Sequence, residues 1–454
     1  MLGLLLLILS IYCFQKGKFY PSLMLFFLFV TNGFQVIPVN WLMFGLPLDK
    51  GSDLGILYTA VLFVMNRRRM KLITQRFPVF KLSGYLILFV LADVAYSLFI
   101  LDYSLANVLQ VFRPYLIFLI VPVFFGVPQD DLKKALNSVA FITVFQSVLF
   151  LLQIASGITI LLSASGDANV HTGLVEGTSY MRFYNAPMFL NAALFYFLFV
   201  YRFKNTTLKY LVWGILFLTV IGPMHRSLML TIIAVISVYL LLKKSSGKGA
   251  LYLSAIGLGI YALSFIDVVG NRLNDAFTDM YATFNSNLSV QYIDINDNNL
   301  TFRVGHFIER FQYVIQSFDR WLFGIGMISD NAAYAARLPF QFGLVSETTG
   351  RVAQIDTGDI TWSPLMLNLG IFGAAFYFFL FVRYMIFFYR KTSASAYAVV
   401  GFLLILASFL TSMAGTELMS TGFRTMVLLL MVIAAKDYWS RMRNSQIQKK
   451  YYAA

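Results

Sequence analysis

The chain has 454 residues, of which 59% are hydrophobic, 17% aromatic and only 12% charged. Soluble domains carry about 25% charged residues, so a long soluble domain is excluded and repeated apolar runs near 20 residues point to an all-α, polytopic integral membrane protein. One cysteine, Cys13, and three histidines rule out a disulfide framework and make a Cys- or His-rich metal site a poor reading, while the net charge of +14 raises the question of where the charge sits.

Taken in order, residues 1–14 form an apolar run with no cationic segment before it, read as a first span rather than a cleaved leader. Lys16 and Lys18 follow, then a run over 19–39, a polar loop with Asp49, Lys50 and Asp53, and a run over 54–66. That run ends on Arg67, Arg68 and Arg69, the densest positive cluster in the chain, which marks the cytoplasmic side. Further runs cover 82–101, 111–127, 135–162, 185–201, 210–221, 227–242 and 250–266. A long polar segment follows, and runs over 363–382, 397–412 and 421–435 close the chain. Strict alternation puts every Lys/Arg-rich short loop on one side and the long polar segment on the other. The expected architecture is about 12–13 transmembrane helices with one large extracytoplasmic loop. It divides into 1–266 (N-terminal spans), 267–362 (the loop) and 363–454 (C-terminal spans and cytoplasmic tail). The positive charge is then an orientation signal, and nucleic acid drops out as a partner.

The informative charges are those that orientation does not explain. Arg182, Arg226, Arg303 and Arg310 fall on the outer side, where basic residues should be few. Arg303 and Arg310 are seven apart, on a segment with Phe302, Phe307, Ile308 and Phe311 that reads as an amphipathic helix along the membrane surface. Several Arg facing one cavity would bind an anion in bidentate fashion; each alone could equally snorkel to headgroups. Asp356 and Asp359 precede the span near 363, where Asp359 could cap the helix or accept a proton from a hydroxyl. The run Asp294–Asn299 lacks the glycine and the glutamate of a calcium loop and reads as a solvated turn. Asp93 lies within a span, with Arg113 as its expected partner, and His306 reads as a polar-face residue.

Four segments resemble the O-antigen polymerase and O-antigen ligase superfamily. Met181–Pro187 is similar to the family's Arg-bearing turn before a span, and Ile221–Ser227 to its Gly-containing turn closed by Arg. Thr301-Phe302-Arg303 followed by Asp319–Gly326 resembles its Arg-bearing helix and "PLFGxG" turn; Asp359–Trp362 with Leu369–Gly373 resembles its "HNSYL…LGLIG" segment. The likeness covers about residues 170–390. It implies a metal-independent glycosyltransferase without a cofactor, in the bacterial inner membrane, with its loop periplasmic and its C-terminus cytoplasmic. Its partners would be a polyprenyl-diphosphate-linked glycan, membrane lipid and a chain-length regulator or other assembly protein. By the same likeness Arg226 and Arg303 hold the donor diphosphate, Arg182, Arg310 and Asp356 complete the substrate site, and Asp359 orients or deprotonates the acceptor. Ligases carry His where this chain has Asp359, whereas many repeat-unit polymerases carry Asp, which favours polymerase over ligase. A multi-span transporter is the reading from another class, and it would depend on Asp93 instead.

Overall fold

The structure, a computed structural model, describes residues 2–43, 50–163, 171–174, 181–223, 225–242, 299–343, 352–355 and 360–452. It is mostly helical, and four of its helical stretches are long and apolar enough to cross a membrane: Pro78–Phe99, Leu105–Gly126, Gln129–Ser156 and Trp362–Lys391. Shorter apolar helices of 10–17 residues pack among them.

The N-terminal part contains α1 (Leu2–Gln15), α2 (Phe19–Val30), α3 (Val39–Met43) and α4 (Gly51–Arg76). The run expected over 19–39 stops at Val30 because Asn32, Phe34 and Gln35 take positive φ and turn the chain. Conversely, α4 starts earlier and runs through Arg67–Arg69, whose exposed side chains leave helical backbone at no cost. Asp53, expected in a loop, is the N3 residue of α4 and caps it. Then come α5 (Lys81–Phe99), α6 (Leu105–Phe112), a 3-10 segment Arg113–Ile120 and α7 (Val121–Gly126). The single span expected over 111–127 is thus part 3-10, with Pro114 and Pro122 at the starts of its two later pieces.

The middle part contains α8 (Gln129–Ser156), a two-stranded antiparallel hairpin of β1 (His171–Leu174) and β2 (Met181–Phe183), α9 (Leu190–Phe199), α10 (Thr206–Ile221) and α11 (Arg226–Leu242). The run expected over 250–266 lies outside the described residues. After it come α12 (Asn299–Val314), α13 (Phe318–Phe323), α14 (Trp362–Lys391), α15 (Ala396–Thr411) and α16 (Thr421–Tyr452).

One continuous apolar core joins these elements. Phe26 of α2 stacks on Tyr58 of α4 and meets Phe124 of α7 edge-on, while α15 packs between α9, α14 and α16. A smaller second core, built on Val314, Ile325, Ile328 and Phe340, underlies the described residues between α12 and α14.

The joint between those cores is the turn after α13. Gly324 and Gly326 adopt φ of +62° and +83°, conformations open to glycine. They bring Ile325 N within 2.6 Å of Leu367 O and Met327 N within 2.8 Å of Ser97 Oγ, while Tyr103 Oη donates to Ile325 O at 3.0 Å. Leu367 O is free to accept because α14 breaks at Gly370, where φ is +68°. The turn therefore seats on a gap in α14 and on α5 together.

Candidate functional site

A basic cluster forms where β2 meets the α10–α11 turn. Arg182 Nε donates to Pro223 O at 2.9 Å, its terminal nitrogen lies 3.4 Å from His225 Nδ1, and its guanidinium stands 4.8 Å from the Tyr184 ring centre. Tyr184 and His225 face each other at 5.4 Å. Arg303 of α12 is close enough to act on His225 electrostatically. Burial, then Arg182, then Arg303 push the His225 ring down to about 4, so it is neutral at pH 7 and accepts from Arg182 through Nδ1.

The scaffold under this cluster is a glutamine network. Gln153 of α8 donates to Asn185 Oδ1 at 2.7 Å and accepts from the amides of Ile160 and Leu161 at 2.9 and 2.8 Å. Buried Gln35 accepts from Met188 N at 2.8 Å and donates to the carbonyls of Leu162, Asn185 and Ala186. Phe183, fully buried with Phe150 and Leu161, anchors β2 to α8, which leaves Arg182 projecting beside it. Arg226 is the first residue of α11, next to His225; its side chain lies outside the described residues, as do Asp356 and Asp359.

Helix α12 carries Arg303, His306 and Arg310 on one side at spacings of three and seven. The structure separates the two arginines by environment. Arg310 is fully buried, paired to Glu309 Oε2 at 2.7 Å, donating to Gln354 O at 3.1 Å and lying 4.4 Å over the Phe340 ring. Burial lowers its guanidinium to about 10. Glu309 also accepts from the amides of Gln341 and Phe342 at 2.8 and 3.2 Å. Arg310 is thus placed as a clamp on Phe340 and Gln354, whereas Arg303 stays partly exposed beside His225.

His306, expected on a polar face, is fully buried instead. Its Nδ1 lies 3.0 Å from Ser363 Oγ in the first turn of α14, and its Nε2 has no hydrogen-bond partner among the described residues. Burial, and secondarily Arg310, push this ring down to about 3.

Beside α12 runs an apolar groove of about 490 Å³, lined by Phe307 and Phe311 of α12, Trp362, Met366 and Phe378 of α14, and Phe409 of α15. Trp362 Nε1 donates to Ser412 Oγ at 2.8 Å, which fixes the ring at one end of the groove. The volume falls in the range of about 300–1,000 Å³ typical of ligand sites.

Two buried charges correct or extend the sequence reading. Asp93 is fully buried with Oδ2 unpartnered among the described residues, and its expected partner Arg113 pairs with Asp53 at 2.9 Å instead. Arg424, which the sequence reading passed over, sits 1% exposed in α16; it donates to Tyr377 Oη at 2.9 Å and to Pro114 O at 3.1 Å and lies over the Tyr115 ring. An arginine one turn into an apolar run was the available signal.

The fold and site together describe a helical protein with membrane-length apolar helices, a basic cluster and an apolar groove. No family model matches the chain, and no curated protein matches its sequence.

Proposed function

We propose that the protein is a membrane glycosyltransferase that polymerises lipid-linked oligosaccharide repeat units, taking a polyprenyl-diphosphate glycan as donor and a sugar hydroxyl as acceptor. The observation that carries this reading is the double use of α12. Arg303 faces the basic cluster, and Phe307, one turn further on, lines the apolar groove. A diphosphate on an isoprenoid tail has the same two parts, an anion and an apolar chain. Arginine suits the anion because its planar fork binds phosphate oxygens in pairs.

Diphosphate is a good leaving group, so the protein's work is to stabilise the charge that develops on it, to position the acceptor and to take one proton. Arg303, Arg182 and Arg226 supply the first of these. Asp359 in place of a histidine favours a polymerase over a ligase that hands finished glycan to a lipid core, by the resemblance alone. The expected setting is the outer face of a bacterial inner membrane, with 12–13 spans counting the runs outside the described residues.

The test is a gel of surface glycolipid from cells lacking the gene, complemented with wild type or Arg303→Ala. Wild type should restore a long ladder. Arg303→Ala should not, because loss of one donor to a developing oxyanion costs about 10²–10³ in rate. Long glycan accumulating on the polyprenyl carrier without the protein would mean a ligase. A ladder that survives Arg303→Ala but not Asp93→Asn would replace the enzyme with a transporter.

A further inference from the structure

Away from the basic cluster, three cationic side chains converge where α4, the α7–α8 turn and α16 meet. Arg69 and Arg76 of α4 are seven apart and share a face. A Cβ on Gly126, the last residue of α7, would stand 2.0 Å from a guanidinium nitrogen of Arg69, so that group lies across bare backbone. Lys436 of α16 donates to the carbonyl of the next residue, Val127, and Arg69 is close enough to act on it electrostatically. One turn past Lys436, the Trp439 ring carries the Arg76 guanidinium 3.4 Å above it.

Like charges gathered in this way repel one another, and the chain supplies no acid to offset them. Among the described residues, neither the Arg69 nor the Arg76 guanidinium has an ion pair or a hydrogen bond. Asp437, beside Lys436 in the chain, is taken by Lys133 Nζ at 2.8 Å and Ser395 Oγ at 2.6 Å. The orientation rule accounts for basic residues on this side but not for their convergence. An apolar row leads to the same place: Leu57, Val61 and Met65 precede Arg69 at steps of four on α4, and all three are exposed.

We infer that this junction binds an anionic glycerophospholipid, its phosphate held by Arg69, Arg76 and Lys436 and one acyl chain lying along the apolar row of α4. Arginine forks take phosphate oxygens in pairs, and stacking on Trp439 uses the face of Arg76 while leaving its N–H edge outward. Basic pockets between helices at a membrane surface select anionic headgroups, whereas the ammonium of a choline headgroup would meet Lys436. A free phosphate fits the cationic seat but makes no use of the apolar row.

The experiment is native mass spectrometry of the delipidated full-length protein in detergent, each variant checked as monodisperse. The probes are dioleoyl phosphatidylglycerol, dioleoyl phosphatidylcholine and inorganic phosphate. Wild type should bind one phosphatidylglycerol about tenfold more tightly than phosphatidylcholine, and excess inorganic phosphate should leave it bound. Arg69→Gln with Arg76→Gln should weaken phosphatidylglycerol about 25-fold, at about fivefold for each basic residue. Gly126→Ala keeps every charge but pushes the Arg69 guanidinium off the turn, and should weaken it about fivefold. The charge-matched control, Lys16→Gln with Lys18→Gln on the exposed α1–α2 turn, should bind as wild type does. Wild-type affinity in the double arginine variant, or an equal loss in the control, would overturn the inference. Displacement by inorganic phosphate would overturn the lipid as occupant and leave only an anion seat.

Discussion

Replacing Gly324 with alanine should undock the turn after α13 from the helical bundle. A Cβ at this position would stand 1.9 Å from Leu367 O, 2.7 Å from Leu367 C and 2.9 Å from Gly370 N, all main-chain atoms that cannot swing aside. The backbone there, φ +62° and ψ −133°, is also one that side-chain-bearing residues avoid. Strain of this kind costs about 1–3 kcal/mol. The clash adds to it, so the docked turn should lose at least about 3 kcal/mol, or roughly two decades in its opening equilibrium. Hydrogen exchange reports that opening directly, because Ile325 N and Met327 N are the two amides held by Leu367 O and Ser97 Oγ. Both should exchange about 100-fold faster in Gly324→Ala, while peptides from α8 stay protected. Gly17→Ala is the control: φ is +74° there, but nothing lies within 4 Å, so strain without a clash should leave the turn untouched. Unchanged protection at 325 and 327 in Gly324→Ala would refute the account of the turn as a seated joint.

Asp53→Asn should destabilise the protein by about 2 kcal/mol. The amide still caps α4, but the charge facing Arg113 at 2.9 Å is lost, and the arginine's partial exposure softens the penalty. A melting temperature equal to wild type would show that the pair contributes nothing. Acidification should also destabilise the fold. His306 and His225 both have folded values, about 3 and about 4, below the ordinary 6.5. The unfolded chain therefore binds protons first as pH falls, and stability is complete above about 6.5 and declines below it. Between pH 6.5 and 5, His306 alone should cost about 2 kcal/mol. A flat stability profile over that window, or one that His306→Asn does not flatten, would contradict this assignment.

The helices were legible because apolar length announces them: α14 and α15 start within one residue of the runs read from sequence, whereas α8 begins and ends six residues earlier than its run. Breaks within apolar runs were not. Gly370 lies inside a continuous hydrophobic stretch, and its positive φ is dictated by Trp321 O and Leu322, which arrive from some 50 residues away. The orientation rule singled out Arg182 and Arg303, and the structure places both beside His225. It could not divide Arg303 from Arg310, because the difference lies in Glu309, Gln354 and Phe340, which close around only one of them. His306 was misjudged for the same reason. A helical-wheel reading sees its neighbours on α12 and cannot see Ser363.

Arg424 has a consequence for how the chain is assembled. Before α16 docks, this cation keeps its hydration. It can give up that hydration only when Tyr377 and the carbonyl of Pro114 stand ready to receive it. Both belong to segments synthesised earlier, and the 3-10 geometry around Pro114 offers a carbonyl outside an α-helical ladder. The last helix is thus checked against the rest of the bundle as it docks. An error in packing α14 or the 113–120 segment leaves a stranded charge in α16.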